Sequence, residues 1–172
     1  MKMKRWLLMG CMLLAAGAAR GETSLLVVNF ELVDEMHDPR TAEADAARIE
    51  RSGPMLREAL GGCTAVRVFG PEKAEEAIRR AAKQNAYLYR CNGCAQDIGT
   101  AAGADAVMFT WAQKVSNLIL NLNAEARDSR SGAVAFARSV DLRGDTDRSW
   151  ARGIAALAAR ICKAASRRAA SR

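Results

Sequence analysis

Histidine occurs once in the 172 residues, proline three times, and aromatic residues make up only 5%. A lone histidine, His37, argues against a His-based metal centre and against a Ser/His/Asp triad. Three prolines and 13 glycines exclude a collagen-like repeat or a Pro-rich linker. No Gly-rich phosphate loop is present, because Gly61-Gly62-Cys63 lacks the lysine and the spacing that such a loop needs. Acidic residues are missing from both ends. The first 21 residues hold Lys2, Lys4, Arg5 and Arg20, and the last ten hold Lys163, Arg167, Arg168 and Arg172. With both ends set aside, the formal net charge of +7 falls to −1. A near-neutral body lacks the electrostatic footprint of a nucleic-acid binder. What is present is globular: 50% hydrophobic and 26% charged residues, in a length that suits one domain.

The N-terminus reads as a secretory signal peptide over residues 1–21. Lys2, Lys4 and Arg5 form its positive region, Trp6 to Ala18 its apolar run, and Ala19 and Gly21 fit cleavage before Glu22. The run is shorter than the ~20 residues of a spanning helix, and no later segment supplies them. Leu8-Met9-Gly10-Cys11 forms a loose lipobox, but the apolar stretch before Cys11 is very short and apolar residues continue past it. The expectation is export to the periplasm without a lipid anchor at Cys11. A single domain over 22–165 and a basic tail over 166–172 should follow.

Within that domain, the run from Ser24 to Phe30 predicts a strand buried on both faces. Thr41 to Leu60 predicts a helix with a kink or break at Ser52-Gly53-Pro54. Ala65 to Phe69 is a short alternating strand, and Pro71 opens a helix closed by Arg79, Arg80 and Lys83. Asp97 to Ala102 is a short helix ended by Gly103. Three strands follow: Ala106 to about Gln113, Leu118 to Arg127, and Ala133 to Leu142. The last helix is capped by Asp145 or Thr146, and Trp150, Ile154, Leu157 and Ile161 form its apolar stripe. The order β-α-β-α-α-β-β-β-α predicts an α/β (α+β) mixed sheet of about five strands with helices packed on it.

Three groups of residues are candidates for function. The first is Cys91-Asn92-Gly93-Cys94, where a turn dipeptide lets two sulfurs meet. In an oxidising compartment the expected state is a structural disulfide, with a redox dithiol at a helix N-terminus as the rival. Metal binding is the third reading, and it lacks ligands: Cys63 and Cys162 lie in apolar contexts and are expected as buried single thiols. The second group is a strand face. Leu118, Leu120 and Leu122 point one way, while Asn117, Ile119, Asn121 and Asn123 point the other. With Gln113, Lys114 and Ser116, the amides would form an interaction platform. The third group is a loop cluster of Glu31, Asp34, Asp141, Arg143 and Asp145, able in principle to do acid–base work or to hold a hard cation. No nucleophile accompanies it. The expectation is therefore no catalytic residue, no cofactor and no metal.

The blocks Asn29 to Glu35, Cys91 to Cys94, Gly103 to Asp105, Trp111 to Asn123 and Ser139 to Trp150 resemble a family of bacterial periplasmic proteins with a domain of unknown function. Members of that family are often encoded near pyrroloquinoline-quinone (PQQ)-dependent alcohol dehydrogenases. The resemblance spans nearly all of the exported chain. Ser52-Gly53-Pro54 departs from the uninterrupted helix it implies. The layout is also similar to the small α/β domain of TolB's N-terminal part and of CsgG-type secretion proteins, modules that bind other envelope proteins. The resemblance implies a non-enzymatic periplasmic accessory or protein-interaction module beside PQQ-dependent alcohol oxidation, with a periplasmic or envelope protein as partner. The alternative is a thiol–disulfide redox protein using Cys91 and Cys94.

Overall fold

The computed structural model describes residues 22–171. The expected signal peptide and Cys11 lie outside the described residues. Six strands and four helices follow one another as β1 (Thr23–Val27), β2 (Glu31–Asp34), α1 (Ala42–Leu60), β3 (Val66–Phe69), α2 (Glu75–Gln84), α3 (Cys94–Ala102), β4 (Ala106–Lys114), β5 (Ile119–Asp128), β6 (Val134–Arg143) and α4 (Asp147–Ala170). They build one mixed sheet in the order β3-β1-β4-β5-β6, with β2 also beside β4. The pairs β1–β3, β1–β4 and β2–β4 are parallel, and β4–β5–β6 is an antiparallel meander.

The sixth strand, β2, comes from a one-residue slip. Val27 stands opposite Met108, whereas Glu31 stands opposite Trp111. Four residues thus pass three of β4, and the extra residue reverses the in/out parity. Leu25 and Val27 face one core and Leu26 and Val28 the other, but past the slip it is Phe30 and Leu32 that face the first core. The polar residues after Phe30 hid this continuation in the sequence.

α1 runs unbroken through Ser52-Gly53-Pro54, so the expected break does not occur there. Pro54 is exposed, as is Glu50, whose carbonyl loses its helical donor, so that carbonyl faces water. The Ser52 hydroxyl donates to the Arg48 carbonyl at 2.7 Å. At Gly53 a Cβ would displace the Asn29 side chain, which sits at the slip in the strand. Arg57 Nη1 donates to Asn29 Oδ1 at 2.9 Å beside it.

α1 and α4 cover one face of the whole sheet. Leu56 and Leu60 of α1 and Trp150, Ile154, Leu157 and Ile161 of α4 pack on Met108, Leu120, Leu122, Val140 and Leu142. Gly153 lets α4 sit close, since a Cβ there would strike Leu142. α2 and α3 cover the second face mainly over β1, β3 and the start of β4, and α3 also touches β5. Leu26, Val28, Val107 and Phe109 meet Ala77, Leu88, Ala95 and Ile98 in a core that holds no residue of β5 or β6. Thr146 caps α4, its hydroxyl accepting from the Ser149 N–H at 3.2 Å. Residues 166–170, expected as a separate tail, continue α4.

Cys63 and Cys162 are disulfide-bonded, not the single buried thiols expected. Ninety-nine positions separate them, and the packing of α4 against α1 brings them together. That long-range meeting left no local trace in the sequence. Cys91 and Cys94 form the second disulfide, as expected.

Candidate functional site

The uncovered half of the second sheet face carries the expected amides. The registers place Trp111, Asn123 and Ser139 in one row across β4, β5 and β6, and Gln113, Asn121 and Asp141 in the next. Asn123 Nδ2 donates to Asn121 Oδ1 at 2.8 Å, and Gln113 Nε2 to Glu35 Oε1 at 2.7 Å. These side chains are half-buried, while Ser139, Asp141 and Glu35 are exposed. An Asn-rich strand has poor intrinsic propensity, and here the amides compensate in part by bonding one another.

An aromatic stack borders this face. The Tyr89 ring lies on Trp111 with centroids 4.2 Å apart and planes 9° apart. Tyr87 stands 5.7 Å from Tyr89, and the Arg90 guanidinium lies over both tyrosine rings. The tyrosines belong to the connection between α2 and α3, which the sheet holds at two points. The Glu31 carboxylate accepts from the Leu88 N–H at 2.8 and 3.0 Å and from the Tyr89 N–H at 3.4 Å. Burial raises its pKa despite those two donors. Arg127 donates to the Tyr89 carbonyl at 2.8 Å and to the Cys91 carbonyl at 3.0 Å. The Cys91–Cys94 bridge pins the far end of the connection. Gly93, at φ 92°, supplies the left-handed residue that starts α3 immediately after it. Both bridged cysteines are buried, at 6% and 4% exposure. A groove of about 630 Å³ runs beside them between α2 and α3, lined by Arg80, Gln84, Asn85 and Asp97 among others.

Other expected site residues lie elsewhere. Lys114 faces the opposite side of the sheet and is fully buried. Its ammonium donates to Asp45 Oδ2 at 2.5 Å, Asp145 Oδ2 at 2.7 Å and Thr41 Oγ1 at 3.0 Å, which uses all three protons. Arg48 closes the cluster, reaching Asp147 at 2.9 Å, Asp145 at 3.1 Å and Asp45 at 3.4 Å. Trp150 Nε1 donates to Asp145 Oδ1 at 2.8 Å. Burial draws the Lys114 pKa down, but the bonds and charges of Asp145 and Asp45 outweigh it and the pKa is raised. Burial pushes Asp145 up, yet Lys114, Trp150 and the Arg48 charge hold it below the usual carboxylate range. This cluster ties the N-termini of α1 and α4 to the β4–β5 hairpin. It was findable: Lys114 shares strand parity with Ala106, Met108, Thr110 and Ala112, so it had to enter the same core.

Ser116 and Asn117 shape the hairpin. The Ser116 hydroxyl accepts from the Leu118 and Ile119 N–H groups at 3.2 and 3.1 Å, and the Asn117 carbonyl accepts from the Asp145 N–H at 3.0 Å. Leu118 is 75% exposed, because β5 begins only at Ile119 and the expected leucine face is Leu120 and Leu122. The expected loop site does not assemble. Glu31 holds the α2–α3 connection, Asp34 accepts from the Met36 N–H at 2.9 Å, Asp141 and Arg143 lie on β6, and Asp145 belongs to the buried cluster. Among the described residues, no group of three or more His, Cys, Asp or Glu side chains could hold a metal ion. None of their helices is long and apolar enough to cross a membrane.

A family model, DUF3280, described as a protein of unknown function (DUF2380), matches residues 23–161. No curated protein matches the chain. Among solved structures, the PelC dodecamer from Paraburkholderia phytofirmans is similar at 15% identity and a TM-score of 0.47, over 86% of this chain and 89% of that one. The LpoB C-terminal domain from Escherichia coli is similar at 17% identity and a TM-score of 0.48, over 75% and 88%. TolB from Acinetobacter baumannii is similar at 9% identity and a TM-score of 0.47, over 86% of this chain and 28% of TolB.

Proposed function

The chain belongs to the DUF3280 family, and from that premise we propose that it is a non-enzymatic accessory protein of the cell envelope. In this reading it is exported by residues 1–21 and acts by docking a partner protein on the open half of its sheet. The observation that carries the reading is the half-covered face. Trp111, Asn121, Asn123, Ser139 and Asp141 lie in adjacent rows, on the face where the α2–α3 core takes in no residue of β5 or β6. Aromatic residues with amide and hydroxyl neighbours suit a protein interface, where one rigid ring supplies area and the amides set orientation. Two disulfides favour an oxidising compartment. We place the partner beside PQQ-dependent alcohol oxidation. The support for that finer step is the resemblance of the Trp111–Asn123 and Ser139–Trp150 blocks to the family described above.

The thiol–disulfide alternative has one observation in its favour. Cys94 is the first residue of α3, and Asn85 Nδ2 stands 3.9 Å from its sulfur, an arrangement that favours a thiolate. The burial of both cysteines opposes it, because an incoming thiolate must reach a sulfur. We assign the bridge the structural role of fixing the connection that carries Tyr87 and Tyr89.

The test is co-purification of the exported protein from periplasm with mass-spectrometric identification, alongside Asn123→Arg and Ser139→Arg variants. The reading expects one envelope protein to co-purify with the parent and to be lost with both variants. Retention by both variants, with unchanged urea midpoints, would refute the docking face. A partner outside quinoprotein oxidation would refute the PQQ assignment alone.

A further inference from the structure

β6 is the outer strand of the sheet and is ten residues long. Such an edge ordinarily offers both N–H donors and carbonyl acceptors, and so invites another strand. Here three successive outward carbonyls, those of Ala135, Ala137 and Ser139, are occupied. Arg160 of α4 donates to the Ser139 carbonyl at 2.6 Å, Arg138 to the Ala137 carbonyl at 2.6 Å, and Arg168 of α4 to the Ala135 carbonyl at 3.5 Å. In an antiparallel ladder, a residue that turns its carbonyl away from its partner turns its N–H away too. Over residues 135–139 the edge therefore presents N–H donors and guanidinium groups where a neutral strand would need acceptors.

α4 adds to this. From Arg148 to Ala170 it holds six cations and no acid. At 3.6 residues per turn, Arg148, Arg152, Arg160, Lys163 and Arg167 fall within about one third of the circumference, and Ala156 and Ala159 between them leave the charges unobstructed. All five are exposed. The stripe is about 28 Å long at 1.5 Å per residue. Between it and β6 lies a groove of about 330 Å³, lined by Val140, Leu142, Arg143, Arg152 and Ala156, with Asp141 the one acid in it.

We infer that the β6–α4 edge binds an extended acidic segment of a partner polypeptide, its carboxylates paired with the guanidinium groups of Arg143, Arg152 and Arg160. Guanidinium forks match carboxylates bidentately. Three occupied carbonyls and the repulsion between like guanidinium groups disfavour a second copy of β6, and a narrow groove suits a chain better than a flat lipid surface. This site adjoins the open face at Ser139 and Asp141 but uses the basic residues of β6 and α4, and it stands if docking on that face fails.

The test uses the exported protein and a fluorescent peptide of alternating Glu and Ser. A length of about nine residues spans the stripe at ~3.3 Å per residue. Anisotropy should show saturable binding at low salt that weakens steeply as salt rises. The matched Gln/Ser peptide should not bind. Arg143→Ser/Arg152→Ser/Arg160→Ser should bind about tenfold more weakly, as expected for three exposed ion pairs, with an unchanged urea midpoint. Lysine at Arg143 and Arg152 should restore only part of the affinity. Absence of binding at low salt, equal binding of the Gln/Ser peptide, or unchanged affinity in the triple variant overturns the inference. Binding to phosphatidylglycerol vesicles without binding to the peptide also overturns it, in favour of a membrane surface.

Discussion

Removing the Cys63–Cys162 bridge should be the most damaging covalent change to this fold. The bond joins the turn after α1 to α4 across 99 positions of chain. A cross-link restricts the unfolded chain in proportion to the logarithm of the loop it closes. For a loop of about 100 residues the chain-entropy relation gives ~4.7 kcal/mol. For the four-residue Cys91–Cys94 loop, the same relation gives only about 1.9 kcal/mol. Native bridges typically contribute 2–5 kcal/mol when lost, against a total domain stability of about 5–15 kcal/mol. Cys63→Ala/Cys162→Ala should therefore lose several kcal/mol in urea melts, roughly twice the loss of Cys91→Ala/Cys94→Ala. The m-value should also rise in the first variant, because an unfolded chain freed of its long loop exposes more surface. A loss under about 1 kcal/mol for the long-loop variant, or a larger loss for the short-loop one, would refute the reasoning.

Trp150→Ala should cost about 3–5 kcal/mol, since the ring is buried against the sheet; a loss well under 1 kcal/mol in denaturant melts would mean that α4 docks otherwise. Lys114→Met should cost about 3 kcal/mol by leaving Asp45 and Asp145 buried with Arg48 alone to neutralise them, and unchanged melts would show that the cluster contributes little. The depressed pKa of Asp145 means that its stabilisation is full above the usual carboxylate range and is lost as pH falls through the lower folded value. The raised pKa of Lys114 means that its share persists at alkaline pH and is lost only as pH rises through a folded value above the ordinary lysine one. Urea midpoints from acid to alkaline pH should follow both limbs, and Lys114→Met should flatten the alkaline one. The Cys91–Cys94 bridge should titrate below about −300 mV in graded glutathione buffers, as a buried structural bond does; a value between −120 and −270 mV with a folded reduced form would favour redox chemistry.

The sheet meander, the helices and their order were legible because each element carries its own period and its own stop signals. Gly103, Pro71 and the turn residues 128–132 sit where the structure turns. The face of β5 was legible in Asn121 and Asn123, because alternation alone assigns sides to a strand. What remained hidden was non-local. β2 depends on a slip that only the partner strand reveals. The Cys63–Cys162 pairing and the Asp45–Lys114–Asp145 cluster depend on α1 and α4 lying side by side. Lys114 adjoins polar residues along the hairpin, but in the fold it shares its side of the strand with the residues two and four positions before it.

The docking face is tested most directly by placing a photo-crosslinking amino acid in the exported protein at Asn123, at Ser139, or at Glu50 on the exposed side of α1, and irradiating living cells. The account predicts a discrete crosslinked product to the same envelope protein from Asn123 and Ser139, and none from Glu50. Crosslinks from Glu50 alone, or none from the two sheet positions in cells where the partner co-purifies, would contradict it.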